Sequence, residues 1–163
     1  MQGLAIGGTT LTASAPGYTT DTSTITVDPS GFIIYSPGDF STTPLSADTV
    51  IAITPARLNP MTLNLVDYEN VRGGLTVNVG VTSSDTSVGT ITASPIAFTG
   101  GSSFLITTFH PVAVGTSTVA VAVPTGFSAP SNYRQITATV TVPFTSVSSS
   151  PGGRAAESGR RSP

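Results

Sequence analysis

The sequence contains no cysteine, no tryptophan and no lysine among its 163 residues. Without cysteine, disulfide bonds, thiolate metal sites and thiol nucleophiles are all excluded. Charged residues make up only 9% of the chain, against about a quarter in ordinary globular domains. No apolar run is long enough to cross a bilayer as a helix, so membrane insertion is not expected.

The few charges are spread unevenly along the chain. All six basic residues are arginines, and Arg154, Arg160 and Arg161 lie in the last ten residues. Residues 1–147 therefore hold three arginines against seven carboxylates, a formal charge of −4. Nucleic acid and anionic membranes both require a basic face, so neither is expected as a partner. The opening MQGLAIGG lacks the basic start and long apolar core of a signal peptide, so if the protein is exported, its signal lies elsewhere or this chain is a fragment of a longer one.

Threonine and serine supply most of the polarity, and short segments alternate apolar with polar residues. Alternation with a period of two predicts strands, and no segment shows the 3.6-residue period of a helix, so we predict an all-β chain. Turn signals recur about every eight to twelve residues, which favours a two-sheet sandwich of eight or nine strands over residues 32–142. The intervening residues 36–48 and 67–70 are predicted as loops. The predicted strands are residues 9–15, 22–27, 32–35, 49–53, 61–66, 75–81, 88–92, 95–98, 103–109, 115–123 and 136–142.

One strand phrase occurs twice in the sequence. Residues 115–127 read GTSTVAVAVPTGF, and residues 8–18, about 107 positions earlier, read GTTLTASAPGY. Each copy is followed by a polar turn and a second alternating strand, which is the pattern of tandem domains. We therefore predict a truncated repeat represented by its closing hairpin (1–30), one complete sandwich (31–145), and a disordered tail rich in serine, glycine and arginine (146–163).

Several motifs of the central region resemble bacterial immunoglobulin-like repeats of large surface and secreted proteins. They are GGLTVNV (73–79), VTSSDTSVGTI (81–91), SPIAF (94–98) and the repeated phrase at 115–127. The resemblance implies an immunoglobulin-like sandwich in a tandem array that serves as an extracellular spacer, stalk or adhesive module. Neighbouring repeats of the same chain are then its expected partners, with a surface protein or a glycan as candidate ligand. The family has no shared catalytic residues, so the resemblance also implies that the chain is not an enzyme.

The residues that could support catalysis are few. His110 is the only histidine, and a nucleophilic triad would combine it with Ser102 or Ser103 and with Asp85. No GxSxG motif accompanies these residues. A histidine before Pro111 at a predicted strand end is ordinarily a surface residue. We therefore assign no catalytic residue.

The carboxylates form no recognisable metal or cofactor motif. Asp67 and Glu69 share one predicted loop, and Asp28 and Asp85 lie in predicted turns. Calcium requires several converging oxygen ligands, and no DxDxDG run is present. A calcium ion at the repeat junction, or a carboxylate pair for glycoside hydrolysis, could be drawn from the same residues, but nothing marks them. No metal ligand, cofactor-binding residue or cofactor is assigned.

Aromatic residues bear on the alternative function, a carbohydrate-binding module attached to a secreted enzyme. Only 7% of the residues are aromatic and none is tryptophan, which makes a poor platform for stacking sugars. Tyr18 and Phe127 occupy matching places in the two repeat phrases, so both are predicted to pack rather than to bind ligand. The four tyrosines are Tyr18, Tyr35, Tyr68 and Tyr133.

Overall fold

The structure is a computed structural model that describes residues 5–144 of the chain. All regular secondary structure in that range is β-strand, which confirms the all-β prediction. The described range holds no helix that could span a membrane. The predicted tail, residues 146–163, lies outside the described residues. The strands are β1 (Gly7–Ala13), β2 (Asp21–Val27), β3 (Ser30–Ser36), β4 (Phe40–Thr42), β5 (Thr49–Leu58), β6 (Leu65–Tyr68), β7 (Thr76–Val79), β8 (Val81–Ser83), β9 (Gly89–Ile91), β10 (Ile96–Thr99), β11 (Leu105–Pro111), β12 (Gly115–Val121) and β13 (Gln135–Val140).

Strands β3 to β13 form a sandwich of sheets. The first sheet has the order β3-β5-β11-β9, and β6 pairs with the end of β5 beyond β11. The second sheet has the order β4-β13-β12-β8, in which β4 runs parallel to β13 and the other pairs are antiparallel. β7 and β10 form a separate antiparallel pair. The sandwich prediction is confirmed. The predicted number of strands, eight or nine, is lower than the number from β3 to β13.

The main core lies between these sheets and is built from alternating β-branched and aromatic side chains. Val119 and Val121 of β12 point inward, as do Ile51 and Ile53 of β5, and each is at most 1% exposed. Burying one such side chain contributes about 1.5–3 kcal/mol, so valine and isoleucine faces stabilise the domain without disulfides. The other buried residues of the cluster are Phe32, Ile34, Val71, Val77, Val79, Val81, Val88, Ile96, Phe98, Phe109, Ile136, Ala138 and Val140.

The hairpin β1–β2 stands apart from both sheets. Its two strands pair with each other over seven residue pairs, from Gly7↔Val27 to Ala13↔Asp21. Within the described residues neither strand pairs with any other. A hairpin over residues 9–27 was predicted, and the structure has one.

One predicted strand is two strands in the structure. Residues 75–81 were expected to run continuously, but the chain changes sheets at Gly80: β7 pairs with β10, and β8 pairs with β12. Val77, Val79 and Val81 nevertheless all face the core, as their alternation predicted. Glycine fits at the junction because an added Cβ would lie 3.3 Å from the side chain of Ala122, so little room is left there.

The predicted strand 49–53 is too short, because β5 continues through Pro55 to Leu58. The β11 ladder ends at Ile53 and the β6 ladder begins at Ala56. Pro55 lies between the two ladders, so its missing N–H interrupts neither of them. Its carbonyl still accepts a hydrogen bond from the Glu69 N–H, 3.0 Å away.

Two further predictions are corrected by side-chain contacts. Residues 61–66 were predicted as a strand, but they begin in a turn, because the Asn59 carboxamide oxygen accepts the N–H groups of Met61 and Thr62 at 2.9 and 3.0 Å. β6 therefore starts only at Leu65 and includes two residues of the predicted 67–70 loop. The predicted loop 36–48 contains β4, which Phe40 anchors through an edge contact with Phe109, ring centroids 5.6 Å apart.

Candidate functional site

The hairpin β1–β2 can be compared pair by pair with the antiparallel pair β12–β13. Gly7 pairs with Val27 and Leu11 with Ser23 in the first hairpin. Adding 108 to the β1 residues and 113 to the β2 residues gives Gly115↔Val140 and Val119↔Ile136, which are pairs of the second hairpin. These offsets align Gly7 with Gly115, one position away from the repeated phrase, which aligns Gly8 with Gly115.

The turns that follow β1 and β12 correspond as well. Gly17 and Gly126 both adopt positive φ, at 83° and 86°, a conformation that glycine reaches without strain. In both turns the residue after the glycine donates its N–H to the carbonyl three positions earlier. The Tyr18 N–H donates to the Ala15 carbonyl at 3.2 Å, and the Phe127 N–H donates to the Pro124 carbonyl at 3.1 Å. The connection to the next strand is five residues longer in the second copy, as the two offsets show.

The two hairpins differ in what surrounds them. β12 and β13 are flanked by β8 and β4, and Val119 is fully buried. Its counterpart Leu11 is 46% exposed. All of β1 is exposed, and Ile25 and Val27 of β2 are only half-buried. Within the described residues the hairpin thus presents an apolar face and two unpaired strand edges, a surface suited to pairing with further strands.

Tyr18 and Phe127 illustrate the same difference at single positions. Phe127 packs against Phe32 with ring centroids 5.0 Å apart. Tyr18 is 82% exposed. The predicted packing role is therefore found for Phe127 and not for Tyr18, because no aromatic residue of the described range stands beside Tyr18 as Phe32 stands beside Phe127.

His110 pairs with an acid that the sequence did not single out. Its Nδ1 lies 2.7 Å from Asp48 Oδ1, and both side chains are partly exposed. Ser102 Oγ instead accepts the Thr99 N–H in a turn, and Asp85 accepts the N–H and the hydroxyl of Ser87. Among residues 5–144 no serine hydroxyl bonds to His110, so the triad considered from the sequence does not assemble.

Three of the four candidate carboxylates lie around one arginine. Arg57 contacts Asp28 at 3.0 Å and Asp67 at 3.9 Å, and Glu69 is close enough to Arg57 for the charge to act on its pKa. Within the described range no three metal-ligating side chains converge.

Burial and the neighbouring carboxylates Asp67 and Asp28 raise the pKa of Glu69 above its ordinary value of 4.5, and Arg57 opposes them. A raised folded-state pKa means that the native state binds more protons than the unfolded state between the ordinary pKa and the folded-state pKa. The free energy of unfolding therefore falls as the pH rises through that interval. We expect Glu69→Gln to stabilise the protein slightly at pH 7 and to have no such effect well below pH 4, measured by thermal unfolding across pH.

Asp85→Asn is the matched control, with the opposite sign. Hydrogen bonds from the Ser87 side chain and backbone lower the pKa of Asp85 from 3.8. The stability that its carboxylate adds is present above that value and is lost as the pH falls through the folded-state pKa. Asp85→Asn should therefore destabilise the protein at pH 7 only; the same sign for both variants would contradict this assignment.

The structure brings two tyrosines together that are far apart in sequence. Tyr35 and Tyr68 meet edge to face with ring centroids 5.4 Å apart, and both rings are more than half exposed. Phe104, 57% exposed, lies at the same place. Tyr133 is exposed elsewhere. The sequence did not reveal this cluster, because it depends on which strands pair with β5.

No protein-family model matches the chain, and no curated protein matches it significantly in sequence. Solved structures similar to it include the S-layer protein SbsC domains 4 and 5, with a TM-score of 0.49 and 19% identity over 82% of this chain and 66% of that one. Surface layer protein SbsC, domains 1-6, matches with a TM-score of 0.47 and 20% identity, over 86% of this chain and 17% of that one. The S-layer protein rSbsC(31-844) matches with a TM-score of 0.46 and 19% identity over the same shares. This chain thus spans just under two thirds of the first structure and about a sixth of the other two.

Proposed function

We propose that this chain is a non-catalytic structural and interaction module of a bacterial extracellular protein, one immunoglobulin-like repeat preceded by the closing hairpin of another. Its role is that of a spacer, stalk or adhesive repeat, and its first partners are neighbouring repeats of the same protein. The observation that supports the proposal is that the phrase repeated in sequence forms an antiparallel hairpin with the strand that follows it at both places. One such hairpin packed inside a sandwich and one exposed is the arrangement expected of neighbouring repeats.

The surface of the sandwich supports the same role. Arginines are few, and within the described residues no hydroxyl is hydrogen-bonded to the imidazole of His110; the Thr108 hydroxyl donates to the far oxygen of Asp48 at 3.2 Å. The motifs at 73–98 and 115–127 resemble extracellular repeats, which is the reason for placing the protein at the cell surface. Extended arrays of such sandwiches act through their length and their exposed faces rather than through a pocket for chemistry.

A chain with a second copy of residues 30–114 placed directly before Gly7 tests this function. In that chain the hairpin β1–β2 would stand where β12 and β13 stand in the complete sandwich. We expect a second cooperative unfolding transition. The m-values of the two transitions should add up to about twice the m-value of the original chain, because twice the surface is buried. The added sandwich should be the less stable of the two, since its hairpin has Ala13 where the other has Val121 and a connection shorter by five residues.

Leu11→Asp in the two-copy chain is the control, because Leu11 would then be a core residue. It should abolish the added transition and leave the original one in place. A two-copy chain that shows only the original transition, with its extra residues digested rapidly by protease, would contradict the repeat assignment.

A further inference from the structure

Three exposed aromatic rings surround a small cleft on the outer face of the first sheet. We call it the aromatic cleft and define it by Tyr35, Tyr68 and Phe104, with Thr54, Glu69, Asn70 and Ser103 completing its lining. Its volume is about 210 Å³, below the range of about 300–1,000 Å³ that is usual for pockets enclosing drug-sized ligands. The space therefore suits one compact group rather than an extended chain.

The fold holds these rings in fixed places. Tyr35 lies on β3 and Tyr68 on β6, and both strands pair with β5. The buried Thr54 of β5 donates its hydroxyl to the Ser103 carbonyl at 2.7 Å, which fixes the segment carrying Phe104. The two tyrosine rings stand at 82° to each other. Two perpendicular rings form a corner, not the flat platform on which a sugar ring stacks.

The charge around the cleft is negative. Glu69 lines it, and Asp28 and Asp67 lie behind it around the single cation Arg57. Arg57 is engaged with the two aspartates, whereas Glu69 enters none of the ion pairs of the described residues. The Glu69 side chain is exposed, so its carboxylate is accessible to a cation that enters the cleft.

Aromatic rings and a carboxylate that enters none of the described ion pairs favour the same ligand. The face of an aromatic ring carries negative potential and attracts a cation, and clusters of such rings recognise quaternary ammonium groups. A primary ammonium is strongly hydrated and needs hydrogen-bond acceptors, whereas a trimethylammonium group is compact, apolar at its surface and positively charged. We propose that the aromatic cleft binds a quaternary or fully methylated ammonium group, with Tyr35, Tyr68 and Phe104 around the methyl groups and Glu69 facing the charge.

The test is a titration of the full chain, followed by amide chemical shifts, with choline and with 3,3-dimethyl-1-butanol. The second compound has the same shape but no charge, so it separates cation binding from simple apolar binding. We expect a Kd of about 1 mM for choline and binding about tenfold weaker for the neutral analogue, consistent with cation–π attraction and one carboxylate. The shifted amides should belong to β3, β6 and residues 103–104.

Single-residue variants test which side chains bind choline. Tyr35→Ala and Tyr68→Ala should each weaken choline binding about tenfold, whereas Tyr35→Phe and Tyr68→Phe should retain it, because the ring face is the binding element. Glu69→Gln should weaken it several-fold and reduce its dependence on salt. Tyr18→Ala, an exposed tyrosine on the hairpin, is the matched control and should bind as the unaltered chain does. A thermal midpoint no lower than that of the unaltered chain shows that the sandwich of each variant remains folded.

The source of the ammonium group is resolved by comparing choline, phosphocholine and a trimethyl-lysine peptide, which share the trimethylammonium group. Binding of any of them through the cleft supports the proposal, and the tightest identifies the source. Equal binding of choline and its neutral analogue, binding of hexose glycosides without binding of choline, or no shift at about 10 mM choline, roughly ten times the expected Kd, would each overturn it.

Discussion

Val119→Asp should leave the sandwich unfolded at 25 °C, while Leu11→Asp, the same change at the matching position of the first hairpin, should leave its thermal midpoint unchanged. Val119 is fully buried. Its replacement removes about 1.5–3 kcal/mol of apolar burial and places an unpaired carboxylate in the core, at several kcal/mol more. The sum approaches or exceeds the whole stability of a typical domain, about 5–15 kcal/mol.

Leu11 tolerates the charge because it is 46% exposed and its hairpin pairs with no sheet of the sandwich in the described residues. Surface substitutions ordinarily change stability by about 0.5 kcal/mol or less. Circular dichroism melts of the two variants beside the unaltered chain provide the comparison. If Leu11→Asp lowered the midpoint by about 4 °C or more, the amount expected for a loss of 1 kcal/mol in a domain of this size, the hairpin would be an integral part of the sandwich.

Gly89→Ala is expected to destabilise the sandwich by about 3 kcal/mol, at the upper end of the usual overpacking cost. A Cβ at Gly89 would overlap the ring of Phe109, which is fully buried and held on its other side by Phe40. The backbone of Gly89 has little freedom to move away, because its carbonyl accepts the Ser83 hydroxyl at 2.6 Å and it pairs with Pro111. The midpoint should fall by about 10 °C or more.

A double-mutant cycle with Phe109→Leu tests the cause of that loss. The smaller side chain makes room for the new methyl group, so the two changes should cost less together than their separate costs predict. Gly38→Ala is the matched control, since a Cβ there meets no atom within 4 Å. Additive costs for Gly89→Ala and Phe109→Leu would show that contact with the ring is not the reason for the loss.

The hairpins and the core faces could be predicted because their causes are local. Alternation placed Val77, Val79 and Val81 on one buried face, and the repeated phrase with its glycine turn located both hairpins. The change of sheet at Gly80 could not be predicted, since alternation is the same whether a strand stays in one sheet or leaves it. β4 could not be predicted for a related reason. Its three residues form a strand only because β13, nearly a hundred residues later in the sequence, pairs with them.

The side-chain clusters were even harder to predict from the sequence than the strands. The pairing of Asp48 with His110 and of Tyr35 with Tyr68 depends on which strands become neighbours, and neither pair is marked by sequence spacing. The expectation that tyrosines without tryptophan make a poor sugar platform follows from composition, but the corner that two of them form follows from the pairing of β3 and β6 with β5. Sequence reasoning therefore located both hairpins and missed the aromatic cleft.

Amide hydrogen exchange at β1 and β2, compared between this chain and the chain with the second copy of residues 30–114, tests the central claim most directly. In this chain the hairpin amides should exchange quickly, while those of β12 and β13 exchange slowly, near the limit set by global unfolding. In the two-copy chain the amides of β1 and β2 should become protected, and the edge amides that face the added strands should slow with them. Rapid exchange of β1 and β2 in both chains would contradict the claim that this hairpin closes a second sandwich.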